Sequence, residues 1–242
     1  MGLDVRRIPT LANEWADKKP SEIIAVAIKE YGPDIAISFS GAEDVVLVDM
    51  ACKAGGKFKV FSLDTGRLHP ETYQFLEKVR ERYKIPIETY FPQPEAVQKL
   101  VAAKGLYSFY RDGHKECCGV RKVEPLQRAL ADLDAWISGL RPEQSVTRSE
   151  VTAVEIDQVH EGRVKLNPLA KWNKDDVWAY VRKHAVPVNA LHAKGYPSVG
   201  CAPCSRAIRE GEDDRAGRWW WEQPENRECG IHTGYEEKGS GI

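Results

Sequence analysis

No stretch of this 242-residue sequence is apolar for the roughly 20 residues that a bilayer-crossing helix needs. An excess of either charge is missing as well. Lys and Arg total 35 against 36 Asp and Glu, a net charge of −1, so no basic field marks nucleic acid as the main partner. The opening MGLDVRRIPT has no apolar h-region of the kind a secretory signal carries, and Arg6 stands where a myristoylation signal has Ser or Thr. A cytoplasmic chain is therefore expected, without membrane or nucleic-acid partners. Internal repeats and low-complexity blocks are absent too. What is present is ordinary for a globular protein, 42% hydrophobic and 29% charged, in a chain long enough to bury a sizeable core.

Cysteine is scarce, six residues in all, but it is unevenly spread. Cys117 and Cys118 are adjacent, and Cys201 and Cys204 form a CxxC. A disulfide between neighbours would close a small strained ring. In a compartment that keeps thiols reduced, clustered cysteines point to a metal or to catalysis.

Short apolar runs alternate with helical patterns. DIAISFS (34–40), KFKVFSLDTG (57–66), IPIETYF (85–91), AWISGLR (135–141) and VTAVEID (151–157) predict strands. Helices are expected over 21–31 with Ser21 near the cap, 42–54, 69–83 with Pro70 in the first turn, 94–105 ending at Gly105, the VEPLQRALAD stretch, and 174–185. Strand–helix alternation indicates a doubly wound, mainly parallel α/β sheet. From Gly211 the composition turns to charge, Gly and Trp. We expect a nucleotide-binding α/β domain over 1–210 and a mobile lid or tail over 211–242.

The first βα turn, SFSGAEDVVL, offers Ser38, Ser40 and Gly41 beside a helix N-terminus, at the strand end where open α/β sheets bind ligands. It is neither a Walker A loop nor GxGxxG, and an ordinary tight turn with a Ser cap explains it equally. SLDTGRLHPET (62–72) would lie beside it. Cys52 reads as core packing. CxxC plus a second pair can wrap one metal centre. Zinc usually takes spaced cysteines on both sides, whereas a cubane cluster presents separate irons that vicinal thiolates can reach. A redox dithiol at 201–204 would leave Cys117 and Cys118 unexplained. Cys229 stands alone in NRECGIH, where Arg227 and His232 could stabilise a thiolate nucleophile if close in space.

Taken in order, SFSGAEDV, LDTGRLHPETY, KECCGVRKVEPL, GLRPEQSVTR, GYPSVGCAPCSR and RECGIH make the chain resemble the assimilatory adenylyl-sulfate (APS) reductases of the wider PAPS reductase family, from about residue 30 to 232. The resemblance implies an adenine nucleotide α-hydrolase-like fold. It implies a [4Fe–4S] cluster on Cys117, Cys118, Cys201 and Cys204. Family members acting on phosphoadenylyl sulfate typically lack those cysteines, so it implies APS as substrate. Cys229 is implied as the nucleophile that takes the sulfo group and releases AMP. Thioredoxin or a similar dithiol protein then frees sulfite. It further implies Lys122, Arg215 and Arg218 at the phosphosulfate, Arg121 beside them, Ser38 and Ser40 on the phosphate side, and Leu63, Thr65, Gly139 and Arg148 at the adenosine. Arg141 could replace Arg148, and His232 is placed to tune Cys229 or orient the tail. Trp219 to Trp221 are expected to pack the lid. The dithiol is expected from another chain, and homo-oligomerisation is left open. The competing readings are an RNA sulfur-transfer or ATP-pyrophosphatase-type enzyme, which would want an SGGxDS loop, and a non-catalytic zinc module.

Overall fold

A computed structural model describes residues 3–144, 151–223, 227, 230 and 231. Helices α1 (Ile8–Glu14) and α2 (Pro20–Tyr31) lead into strand β1 (Ile35–Ser38). Helix α2 starts one residue ahead of Ser21: Pro20, with no N–H to satisfy, takes the first turn. Lys19 is the cap, and its N–H is met by the Glu22 carboxylate at 3.0 Å. Then come α3 (Val45–Ala54), β2 (Lys59–Leu63), α4 (Pro70–Tyr83), β3 (Glu88–Tyr90) and α5 (Pro94–Lys104). The helix α6 (Lys115–Cys118) runs through a π-helical turn, Gly119–Val123, into α7 (Glu124–Leu130). Pro125 accounts for the widening: it cannot donate, and its ring excludes the carbonyl four residues back. Strands β4 (Ala135–Ile137), β5 (Val154–Asp157) and β6 (Arg163–Leu166) and helix α8 (Lys174–His184) complete the order.

The six strands lie in the order β3-β2-β1-β4-β6-β5. All neighbours are parallel except the β5–β6 hairpin. The chain winds outward from β1 to β3, then returns to place β4 on the other side of β1. The β1–β4 boundary is thus the topological switch point, where the loops diverge and leave a crevice. The central strands β1, β2 and β4 are largely buried on both faces, their side chains alternating with period two, while edge strand β3 is exposed. Ile35, Ile37, Val60, Ala135 and Ile137 face the larger core with α1, α2, α3 and α8. Ala36, Phe61 and Trp136 face the other way, against Leu126, Ala129, Leu130 and Leu133. Trp136 is fully buried there, worth roughly 1.5–3 kcal/mol for a large apolar side chain. Among the described residues no helix is long and apolar enough to cross a membrane.

The cysteines occupy a third cluster of their own, Cys118, Cys201 and Cys204 with Phe109 and Trp219, flanked by Cys117 and Trp221. Cys52 sits half-buried against the larger core, and burial pushes its thiol up to about 11.

Candidate active site

The crevice between β1 and β4 is a cavity lined by Ser38, Ser40, Ser138, Gly139, Lys122, Arg215 and Arg218, with Glu43 and Asp44 on one wall and Trp219 and Ile231 on another. Each position follows from the fold. Ser38 ends β1 and Ser138 follows β4 directly, its hydroxyl aimed by donating to the Asn167 side-chain oxygen at 2.6 Å. Gly139 lets the two loops touch: a Cβ there would lie 2.9 Å from that of Asp44. Lys122 comes from the π-helical turn.

The first loop is built differently from the expectation. Two of its N–H groups are already engaged within the loop. The Asp44 carboxylate accepts from the backbone of Ser40 at 2.5 Å and of Ala42 at 3.1 Å. Desolvation pushes the Asp44 carboxyl up against those hydrogen bonds. Gly41 turns away from the cavity, its carbonyl accepting from Asn189 Nδ2 at 2.8 Å. Positive charge in the crevice therefore comes from side chains: Lys122, Arg215 and Arg218. Arg218 is 6% exposed and lies 4.4 Å over the Trp219 ring, with Nη1 donating to the Val199 carbonyl at 3.1 Å. Gly200 makes room for it, since a Cβ would fall 2.3 Å from Nη2.

On the far side of Lys122 is a second, small cavity lined by Cys117, Cys118, Cys201 and Cys204 with Phe109, His114, Arg67 and Arg121. Lys122 lines both cavities. All four cysteines are free thiols, three buried and Cys117 partly so. Among the described residues no three Cys, His, Asp or Glu side chains converge on one ion position; the four thiols surround a void instead. Burial pushes the Cys204 thiol up to about 12 and raises Cys117 as well. Four thiolates here would need positive charge in their midst. Arg67 and Arg121 supply part of it, and Arg67 Nη1 and Arg121 Nε are buried with no partner among the described residues. Soft sulfur donors around an apolar void, ringed by unspent cationic donors, fit a thiolate-bound metal cluster.

The sequence-derived residues thus separate into two groups. Ser38, Ser40, Gly139, Lys122, Arg215 and Arg218 share the crevice. Thr65 and Arg121 belong to the cysteine side: Thr65 is fully buried, its hydroxyl 3.2 Å from Cys201 Sγ, and Arg121 Nη1 donates to the Thr65 carbonyl at 2.6 Å. Leu63 packs with Tyr90 and Ile231 on the core. Arg141, the substitute considered for Arg148, is tied to Glu43 at 2.6 Å. Trp219 and Trp221 pack on the cysteine cluster, Trp219 stacked on His114 at 4.3 Å. Cys229, His232 and Arg148 lie outside the described residues. Sequence reasoning passed over Asp44, Asn189 and His114. Asp44 alone carried a signal, a carboxylate just past a Ser-Gly turn.

Comparison with known proteins agrees with this architecture. The phosphoadenosine phosphosulfate reductase domain matches residues 34–207. An adenosine 5'-phosphosulfate reductase of Pseudomonas aeruginosa (strain LESB58) is 51% identical over 94% of this chain and 87% of its own. The chloroplastic 5'-adenylylsulfate reductase 1 of Arabidopsis thaliana is 50% identical over 98% of this chain, which spans 53% of that protein. The phosphate complex of a phosphoadenylyl-sulfate reductase from Candida auris superposes with a TM-score of 0.71 at 25% identity, over 86% of this chain and 99% of that one. With crevice, sheet order and sequence in agreement, the chain belongs to the phosphoadenosine phosphosulfate (PAPS) reductase family.

Proposed function

We propose that the chain reduces adenylyl sulfate to sulfite and AMP, as a step of sulfate assimilation in the cytoplasm. The observation that carries this is the pair of cavities joined by Lys122: a crevice with three cationic side chains at the sheet's switch point, and four cysteines directly behind it. The identity to proteins named for APS reduction supports the substrate.

The substrate is doubly anionic, so a thiolate attacker meets like charge. Lys122, Arg215 and Arg218 offset that repulsion and stabilise the charge that moves onto the leaving phosphate. Cys229 is the attacking thiolate. Its sulfur bonds to the sulfate sulfur, the bond from that sulfur to the phosphate oxygen breaks, and the electron pair leaves with AMP. The Cys229 S-sulfo group is then released when a dithiol protein, thioredoxin or a similar one, attacks the cysteine sulfur. Sulfite departs and the dithiol ends as a disulfide, which accounts for both electrons. Cys117, Cys118, Cys201 and Cys204 would hold a [4Fe–4S] cluster. When bound, it supplies structural order to the Arg121–Lys122 turn and a local field at the crevice. His232 tunes the nucleophile, and Arg148, with Ser38, Ser40 and Gly139, holds the nucleotide.

The test compares APS and phosphoadenylyl sulfate as substrates with thioredoxin and its reductase present. Turnover of APS well above that of phosphoadenylyl sulfate is expected. Equal rates, or no sulfite from APS, would overturn the assignment.

A further inference from the structure

We propose that His160 is a positioning residue for the Cys229 reaction, acting through the chain on which Cys229 lies; this deepens the reading above and rests on it. His160 sits in the hairpin turn between β5 and β6, 71 residues from Ile231, and its Nε2 lies 2.8 Å from the Ile231 carbonyl oxygen. A carbonyl only accepts, so Nε2 carries the proton and donates. Nδ1 is buried with no partner among the described residues.

The ring cannot easily drift. It stands edge-on to Trp136 of the central strand β4, with centroids 5.9 Å apart and planes at 83°. The indole N–H of Trp136 donates to Asp157 Oδ2 at 2.9 Å, while Asp157 Oδ1 accepts from the backbone of Val159 and of His160 at 3.1 and 3.2 Å. The Ile231 carbonyl is thereby fixed to the sheet core. Its side chain packs beside Leu63 and Tyr90 and lines the substrate crevice.

A second anchor sits on the other side. Arg215, which lines the same crevice, donates from Nη2 to the Arg227 carbonyl at 2.7 Å. Cys229 lies two residues along the chain from each anchored position. One anchor is a substrate-facing arginine. The other is His160, which does not line the crevice and can be varied without replacing a group there.

Three variants test this. His160→Phe keeps a ring against Trp136 and removes the donor. His160→Gln places an amide N–H near the position of Nε2. Where His160→Phe fails to fold, His160→Asn, too short to reach Ile231, takes its place. The first readout needs no substrate: the rate of iodoacetamide alkylation at Cys229, followed by peptide mass. The second is the single-turnover rate of sulfo-adduct formation at saturating APS. Loss of the donor should raise the alkylation rate and lower the adduct rate roughly tenfold, the scale of one lost buried hydrogen bond. Iron content should hold, and His160→Gln should restore both rates to within about threefold. Wild-type rates in His160→Phe would overturn the proposal. So would a His160→Gln variant that fails as His160→Phe does, which would mark a packing role. If the wild-type protein forms no adduct with APS, the functional reading falls, and the alkylation rates still decide the tether.

Discussion

Adding one methyl group at Gly200 should disable the crevice by displacing Arg218, one of its three cationic side chains. Gly200 does not occupy the left-handed region, so alanine is compatible with its backbone. The difficulty is space: an added Cβ would lie 2.3 Å from Arg218 Nη2, 2.5 Å from Cζ and 3.0 Å from Nη1. The guanidinium would have to withdraw by about an ångström to reach ordinary contact. It is boxed in by the Trp219 ring at 4.4 Å and the Val199 carbonyl at 3.1 Å. Withdrawal forfeits some of a desolvated cation–π contact of about 2 kcal/mol, and overpacking costs roughly 1–3 kcal/mol. If Arg218 meets the substrate as proposed, its displacement also removes one charge-assisted contact of about 1.5–3 kcal/mol, roughly a 10- to 150-fold drop in kcat/KM. The assay is a double-mutant cycle on APS turnover with Gly200→Ala, Arg218→Ala and the pair. If the methyl acts through Arg218, adding it to Arg218→Ala should cost less than about 0.5 kcal/mol. Fully additive losses, or wild-type kcat/KM in Gly200→Ala, would refute the reasoning.

Two further outcomes follow from the same geometry. Cys201→Ser should lose bound iron and activity together, whereas Cys229→Ser should lose activity alone with iron content unchanged; metal analysis beside turnover separates them, and full activity in Cys201→Ser would remove the cluster's role. Burial holds His192 below the usual histidine range, while its Nδ1 pairs with the Tyr196 carbonyl at 2.9 Å. The unfolded chain therefore binds the extra proton first, so stability is full above about pH 6.5 and declines as pH falls through that value toward the folded one. Thermal midpoints measured from pH 7.5 down to 5.5 should fall, and His192→Gln should flatten the slope.

The strands of the parallel sheet were legible because their apolar runs are short, continuous and bounded by turns. Strand β6 was not, since RVKL alternates charge with apolar residues. Lys165 is nonetheless buried, paired with Glu155 at 2.9 Å and laid 5.4 Å over Trp136. Helix α1 carries too short a pattern to stand out. The convergence of the four cysteines was legible from residue type and spacing, but its division from the crevice was not. Sequence order does not separate the two cavities: Arg121 and Lys122 are neighbours, and only the π-helical turn decides that Arg121 faces the thiols while Lys122 reaches both cavities. The occupied N–H groups of the first loop were likewise invisible, because they depend on where the Asp44 carboxylate folds back.

The central claim is that Cys229 accepts the sulfo group from APS. Incubating the protein with APS in the absence of any dithiol, then measuring AMP release and the mass of the Cys229 peptide, tests it directly. One AMP per chain and one sulfo group on Cys229, both abolished in Cys229→Ser, are the predicted result. AMP release without an adduct, or a sulfo group on another cysteine, would contradict it.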